Sequence, residues 1–380
     1  MKKVDIIGAG IGGLTTALAL EKQGIEVTIY EQAESIKPLG AGIMLASNAM
    51  NVYRALQIDN ELTQNAMPLN IMHITDKNLK VISKIDLQYF KDTYGLQSIS
   101  IHRGKLQEIL LKNLTTTKIH LNHKVQNLIK EKDGYLINFT NNTSVKSSLL
   151  LGADGIHSKV RHSLFPNSHI RTTNQVCWRG VTYFNLPKQY EHNLYEAWGN
   201  GDRFAFVQFS KDQIYWYAVK SRTKDAQEFS TAQLSNYFKD YAPIAKEIIA
   251  STPIKSIHTT IMNDLQPMPT WHDEFACLIG DAAHATTPNM GQGACQSIED
   301  ALVIAKCLKQ YDQETAFKEY QKLRMPYAHK VVKQSRQIGK ISHWKNPLAK
   351  FLRNSLLQIA PEKLNRMQIE NLFKLQKTLS

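Results

Sequence analysis

The chain has 380 residues, 43% hydrophobic and 21% charged, with a net charge of +13 at neutral pH. This length allows two domains or one large one; the composition is that of an ordinary soluble globular protein, and no apolar run approaches the roughly eighteen residues of a membrane span. Four scattered cysteines (Cys177, Cys277, Cys295, Cys307) without C-x-x-C spacing argue against zinc and against a disulfide scaffold, and fit a reducing cytoplasm.

The start, MKKVDIIGAG, runs straight into a strand, so no signal peptide is expected. Val4 to Ile7 form that strand, Gly8-Ala9-Gly10-Ile11-Gly12-Gly13 the turn, and Leu14, Ala17 and Leu18 one face of a helix that stops at Gly24. Glu26 to Tyr30 make a second strand ending at Glu31. Strand, Gly-x-Gly-x-x-Gly, helix, strand and acid follow in the order of a dinucleotide-binding βαβ unit. Gly8 allows the tight turn, Gly10 lets backbone approach a pyrophosphate, Gly13 packs helix on strand, and Glu31 accepts from ribose hydroxyls.

A second glycine-bearing loop, Pro38 to Gly42, reads equally as a ligand contact or a plain turn, and a helical pattern through Asn48, Val52 and Leu56 follows it. Ile99 to Arg103 lead into an amphipathic helix over 105–111; Arg103 is placed either to meet a phosphate or carbonyl or simply to face solvent. Residues 119–150 read as short strands around hairpin turns at Asp133-Gly134 and Asn141-Asn142. Leu149 to Leu151 then run into Gly152-Ala153-Asp154-Gly155, with Ser158 and Arg161 at helical spacing. An acid at a strand's carboxyl end lies where open α/β sheets bind ligands.

Between Trp178 and Tyr217, 12 of 40 residues are aromatic, against 9% for the chain. Most serve as β-sheet core and cross-strand pairs, yet so dense a cluster is also suited to walling an apolar cavity for a planar substrate. Arg179 and Arg203 are polar candidates inside it, each reading more as surface or structure than as a substrate contact; Arg203, with Tyr215 and Tyr217 on the strand 213–219, is carried forward as a substrate-contact candidate. Ala276 to Ile279 form a buried strand ending in Gly280-Asp281. A Pro/Gly-broken loop (Pro288, Asn289) and the turn Gly291-Gln292-Gly293 open another helix, whose unpaired N–H groups face whatever lies ahead. His284 reads as structural rather than as a base. Thr315 to Lys340 continue as a basic helix, and 341–380 carry seven Lys/Arg and two Glu, 7 − 2 = +5. There Leu348, Leu352, Leu356 and Ile359 share one face, which packs on the body or touches an acidic membrane surface.

Together GAGIGG with Glu31, GADGIHSKVR and GDAAHATTPNMGQGACQSIEDA resemble the class A flavoprotein monooxygenases, the single-component aromatic hydroxylases related to p-hydroxybenzoate and salicylate hydroxylase. The resemblance spans about residues 1–335 and leans toward the branch of salicylate hydroxylases, a urate hydroxylase, zeaxanthin epoxidase and the tetracycline-inactivating enzymes. It implies an α/β fold: a Rossmann-like FAD-binding domain (1–70, 98–170, 268–340), a β-sheet substrate domain (71–97, 171–267) and a C-terminal helical segment (341–380). By position it puts Gly8, Gly10 and Gly13 on the FAD pyrophosphate and Glu31 on the adenosine ribose. Arg103 falls against the ribityl and phosphate part, Asp154 and Gly155 on the Asp-Gly motif of FAD and NAD(P)H use, and Asp281 on the ribityl hydroxyls. Pro288, Asn289, Gly291, Gln292 and Gly293 fall beside the isoalloxazine. Some urate-type relatives carry aspartate at position 289, so Asn289 argues against urate.

The implied activity is hydroxylation or epoxidation of an aromatic or enone-type small molecule. NADH or NADPH reduces FAD, O₂ adds at flavin C4a, and the hydroperoxide delivers one oxygen atom; the cofactor carries the difficult chemistry. Partners are then the substrate and O₂, with no metal, no nucleic acid and no stable membrane insertion, in a cytoplasmic monomer or homodimer. The spread of the positive charge fits a soluble enzyme of phosphorylated cofactors. A flavin oxidoreductase that inserts no oxygen is the alternative; a regulatory dinucleotide-binding module is disfavoured by Asp154 and Asp281.

Overall fold

The computed structural model describes residues 2–36, 41–222, 230–360 and 370. Pro38, Leu39 and Gly40 of the second glycine-bearing loop, and the C-terminal segment after Ala360 apart from Glu370, lie outside the described residues.

A parallel five-stranded sheet runs in the order Ala276–Leu278, Leu150–Gly152, Lys3–Ile7, Glu26–Tyr30, Lys118–His120. Its four inner strands are buried on both faces past their first residues, because both faces are covered, whereas the edge strand Lys118–His120 exposes Lys118 and His120. Ile11–Lys22, with its buried Leu14, Ala17 and Leu18, packs against it. Gly12 matters to that packing: a Cβ there would sit 3.2 Å from Ser297 Cβ on the Gly293–Gln310 helix. The hairpins expected at Asp133-Gly134 and Asn141-Asn142 join Val125–Glu131, Gly134–Phe139 and Ser144–Ser147 into an antiparallel meander.

A second sheet of seven strands runs His258–Leu265, Ile170–Tyr183, Gln213–Ser221, Asp202–Gln208, Asn193–Trp198, Ile71–Asp76, Val81–Asp86. Its faces divide by strand alternation. Ile214, Trp216 and Ala218 point to a core shared with Phe204, Phe206 and the Pro243–Ala250 helix, while Tyr215 and Tyr217 point the other way. The 30-residue helix Gln313–Ser342 ties the two sheets together. Near its start Tyr320 donates to the Leu278 carbonyl (3.4 Å), and farther along Arg336 pairs with Asp264 (3.0 Å) in the second sheet. No helix among the described residues is long and apolar enough to cross a membrane.

Candidate active site

The chain-distant motifs meet because their strands are neighbours. Past the strand ends the ladder continues: Gly8 N–H donates to Tyr30 (2.8 Å), Ala153 N–H to Ile7 (2.9 Å), and Ile279 N–H to Gly152 (2.9 Å). Gly8, Ala153-Asp154-Gly155 and Gly280-Asp281 therefore stand side by side at the carboxyl edge of the parallel sheet, where such folds bind ligands. Gly8 has φ of 104°, and a Cβ on it would lie 2.6 Å from the Ala153 carbonyl oxygen. A Cβ on Gly13 would lie 2.0 Å from the Gly8 carbonyl oxygen, whereas one on Gly10 would meet nothing within 4 Å. The three glycines thus divide into turn, open approach and close packing, as the spacing implies.

In front of this edge lies a cavity of about 360 Å³, lined among others by Gly10, Arg103, Gly155, Asp281, Pro288, Asn289, Gly291, Gly293, Tyr215 and Tyr217. Two helix N-termini face it, those of Ile11–Lys22 and Gly293–Gln310, bringing unpaired N–H groups and positive dipole ends. Asp281 and Arg103 face the same space, and neither side chain hydrogen-bonds to another described residue. Asp281 is open to the cavity, yet the protein crowded around its carboxyl pushes its pKa up, opposed by the charges of His284 and Arg103. A carboxylate with idle acceptors, a cation with idle donors and two helix ends form a site for a long ligand carrying hydroxyls and phosphates.

Not every expected residue faces that cavity. Glu31 turns its carboxylate onto the N–H groups of Ala9 (2.7 Å) and Ala33 (2.9 Å), which fixes the glycine turn. Asp154 accepts from Ser158 Oγ (2.5 Å) and from the N–H groups of Lys159 (2.7 Å) and Val160 (3.1 Å), so it braces the loop that presents Gly155. Gln292 is corrected: its buried side chain accepts from Asn48 Nδ2 (3.0 Å), away from the cavity. Arg203 is corrected as well. It shares the cavity-side face of its strand but lies under the Pro288–Met290 turn, 1% exposed. Its guanidinium is committed to Glu196 Oε1 (3.1 Å), Asn289 Oδ1 (2.5 Å) and His343 Nε2 (3.1 Å).

Arg179 does line the cavity, and its Nε is buried without a partner. Glu196 was not anticipated. It lines the cavity, and its carboxylate accepts from Trp198 Nε1 (2.6 Å), Arg203 and the Tyr217 hydroxyl. The only sequence signal was one acid inside the otherwise apolar strand Asn193–Trp198.

Register explains how these groups meet. Glu196, Ala205, Tyr217 and Arg179 pair in turn across four strands, forming one transverse row on the cavity face. Ala205 is small enough for Tyr217 to reach across to Glu196. Two residues along, roughly 7 Å away, Met72, Leu194, Val207 and Tyr215 form a second row with only the Tyr215 hydroxyl polar. The cavity wall thus carries a polar stripe beside an apolar one.

Behind the helix end lies a buried ion network. Arg324 pairs with Glu299 and with Asp300 Oδ1 (2.7 Å), while Asp300 Oδ2 meets His284 Nε2 (2.5 Å) and accepts from Gly280 N–H (2.9 Å). Burial opposes ionisation of Asp300, but His284 and Arg324 overcome it and hold its carboxyl well below the usual range. His284 therefore supports the Gly280-Asp281 turn from behind.

Residues 1–335 match the sequence profile of the family described as FAD binding domain. The chain is 34% identical over 360 residues to the aurachin C monooxygenase/isomerase of Stigmatella aurantiaca, covering 94% of each protein. It is 31% identical over 380 residues to the 2-heptyl-3-hydroxy-4(1H)-quinolone synthase of Pseudomonas aeruginosa, covering 97% of each. Among solved structures, Klebsiella pneumoniae HpxO complexed with FAD and uric acid superposes with a TM-score of 0.88 at 25% identity, covering 98% of this chain and 97% of that one.

Proposed function

Since the chain belongs to the FAD-binding family of flavin-dependent aromatic monooxygenases, we propose that it hydroxylates an N-heteroaromatic ring bearing an apolar tail, of the 4-quinolone kind. FAD, reduced by NADH or NADPH, supplies the activation of O₂ and the transfer of one of its atoms. The residues present fit that cofactor: Gly10 offers open backbone, Asp281 idle acceptors, Arg103 idle donors, and Gly293 opens a helix toward the cavity. We assign Asp281 to the ribityl hydroxyls, Arg103 to the ribityl and phosphate part, Gly8, Gly10 and Gly13 to the pyrophosphate loop, and Glu31, through the lone pairs its bonds to Ala9 and Ala33 leave over, to the adenosine ribose. Pro288, Asn289, Gly291 and Gly293 would border the ring, with Asp154 holding Gly155 beside it. We divide the chain into an FAD-binding part (1–70, 98–170, 268–340), a substrate part (71–97, 171–267) and a C-terminal segment (341–380), working in a reducing cytoplasm where its four buried thiols stay free.

The observation that carries the substrate reading is the pair of stripes. Tyr217 donates its proton to Glu196, so its oxygen is left to accept from a ring N–H. Burial, and then the Glu196 charge, push the Tyr217 pKa far up, so the hydroxyl stays protonated and relays rather than ionises. The ring proton passes to Tyr217 oxygen as the Tyr217 proton passes to Glu196. That leaves electron density on the ring carbon that receives oxygen. Arg179 Nε is placed to donate to the ring carbonyl. Met72, Leu194 and Val207 take the tail. Two relatives point the same way: one is named for a heptyl quinolone product, the other for aurachin C. The polar atoms of Asn289 are spent on Arg203, Thr287 Oγ1 (2.8 Å) and the Ser335 carbonyl (2.8 Å), leaving little there for urate.

The test is substrate-stimulated NAD(P)H oxidation across 2-alkyl-4-quinolones, simple phenolic acids and urate, with product mass determined. Tailed quinolones should gain one oxygen atom and the others should not; turnover of urate or benzoates alone would refute the reading. Tyr217→Phe should keep its flavin, lose about 10²-fold or more in kcat and lose the acid limb of its pH profile.

A further inference from the structure

Residues 320–361 contain nine Lys or Arg and no Asp or Glu. Within them, Arg324, Arg336 and Arg353 are taken up internally: by Glu299 and Asp300, by Asp264, and by the Trp198 ring and the Ile341 carbonyl. Lys330, Lys333, Lys340 and Lys345 are exposed, and none pairs with an acid among the described residues.

The helix Pro347–Ile359 follows these lysines, started by Pro347 at its first turn and capped by Asn346, whose Oδ1 accepts from Ala349 N–H (3.1 Å). Arg353 anchors it: buried, stacked 4.9 Å above the Trp198 ring, it fixes which side faces the protein. The opposite side carries Leu348, Phe351, Leu352, Leu356 and Ile359, exposed by 52–77%. At about 100° per residue these five fill an arc of about 140° along some 20 Å of helix. Ile341 and Trp344, also exposed, extend the patch toward Lys340 and Lys345. Seven of the fourteen large exposed hydrophobic side chains among the described residues thus fall within 341–359. Scattered apolar residues need no explanation, but a contiguous patch of this kind does.

We propose that this surface docks the enzyme, without spanning, on a lipid bilayer containing anionic headgroups. An apolar helix face inserts shallowly while neighbouring lysines meet the headgroups. The charge pattern selects this occupant: a second copy would set lysines against lysines, with no acid in the whole stretch to answer them. Should the tailed-substrate reading hold, docking would bring the enzyme to the phase in which such a substrate partitions. The docking argument itself does not need that reading.

The experiment is co-sedimentation of the FAD-loaded full chain with vesicles of 70:30 phosphatidylcholine and phosphatidylglycerol, against vesicles of phosphatidylcholine alone. Binding should favour the anionic vesicles at least tenfold and fall away in about 0.5 M salt. Leu352→Glu with Leu356→Glu should weaken it at least tenfold, leaving flavin content and melting temperature unchanged. No binding by the wild type, or equal binding by the variant, overturns the proposal. So does a wild-type dimer that dissociates in the variant without vesicle binding, which would make the face a self-interface. None of these readouts depends on turnover, so failure here and failure of the substrate reading are told apart.

Discussion

Asp281→Ala tests the assignment of the cofactor site most directly. The carboxylate accepts no hydrogen bond from the described residues, so whatever it contributes must go to a ligand. A hydrogen bond to a charged acceptor contributes about 1.5–3 kcal/mol, and about 1.4 kcal/mol is tenfold in affinity. Loss of one ribityl bond should therefore weaken FAD binding about 10- to 100-fold. Loss of two would be partly offset by water entering the space. Asp281→Asn keeps one oxygen acceptor and should lose less. The apoprotein should not be destabilised, because the carboxylate opens onto the cavity and bonds to no described residue. The pH dependence follows: protonated Asp281 accepts poorly, so FAD affinity should begin to fall above the ordinary carboxylate range as pH is lowered. The assay is flavin fluorescence on reconstituted apoprotein, with bound FAD per chain measured after purification. Full flavin content and a Kd within about threefold of wild type would refute the contact.

Arg324→Met should cost about 3–5 kcal/mol of stability, because it strands Glu299 and Asp300 in the interior; equilibrium denaturation of the apoprotein checks it, and a loss below about 1 kcal/mol would contradict the network. Acid should destabilise the fold well before the carboxylates titrate. Burial, then the Arg203 charge, lower the His343 pKa to about 2, and burial, then His284, lower that of His329 to about 4. Below about pH 6.5 the unfolded chain binds protons that these two folded histidines refuse, so stability falls with pH, by roughly 2 kcal/mol at pH 5 for the buried His343 and by less for the half-buried His329, which water screens. His343→Gln should flatten that slope between pH 6.5 and 5; an unchanged slope would show that His343 does not carry it.

What could be read from the chain was local grammar. A glycine-broken strand-to-helix turn is written within a dozen residues, so the places of Gly8, Gly10, Gly13, Gly155 and Asp281 in their strand-end turns could be read without knowing their neighbours. What could not be read depended on register and sheet order. Arg179 and Arg203 look alike in sequence, both set among aromatics; only the strand pairing places Arg179 in the cavity row and Arg203 one row farther, beneath the Pro288–Met290 turn. Glu31 and Asp154 stand where expected but spend their oxygens on their own loops. Glu299 and Asp300 fall inside an apolar helix pattern, where Arg324, a helix away, gives no local sign that it answers them.

Arg203, displaced from the role first given to it, joins two parts of the site. One face of its guanidinium holds Glu196, which receives the Tyr217 proton; another holds Asn289, which is fixed to Thr287 and Ser335 beside the Gly291 turn. The planar fork can serve these directions together, while a lysine ammonium on a flexible stem would not fix their relative position. His343 receives the third arm only as a neutral ring, which burial enforces. The polar stripe and the loop proposed to border the flavin ring are thereby set relative to each other by one buried cation. Oxygen transfer needs that kind of rigidity: on the proposed reading the sheet would hold the ring carbon to be hydroxylated and the loop would hold the flavin, and misplacement of about 1 Å can cost 10²-fold in rate.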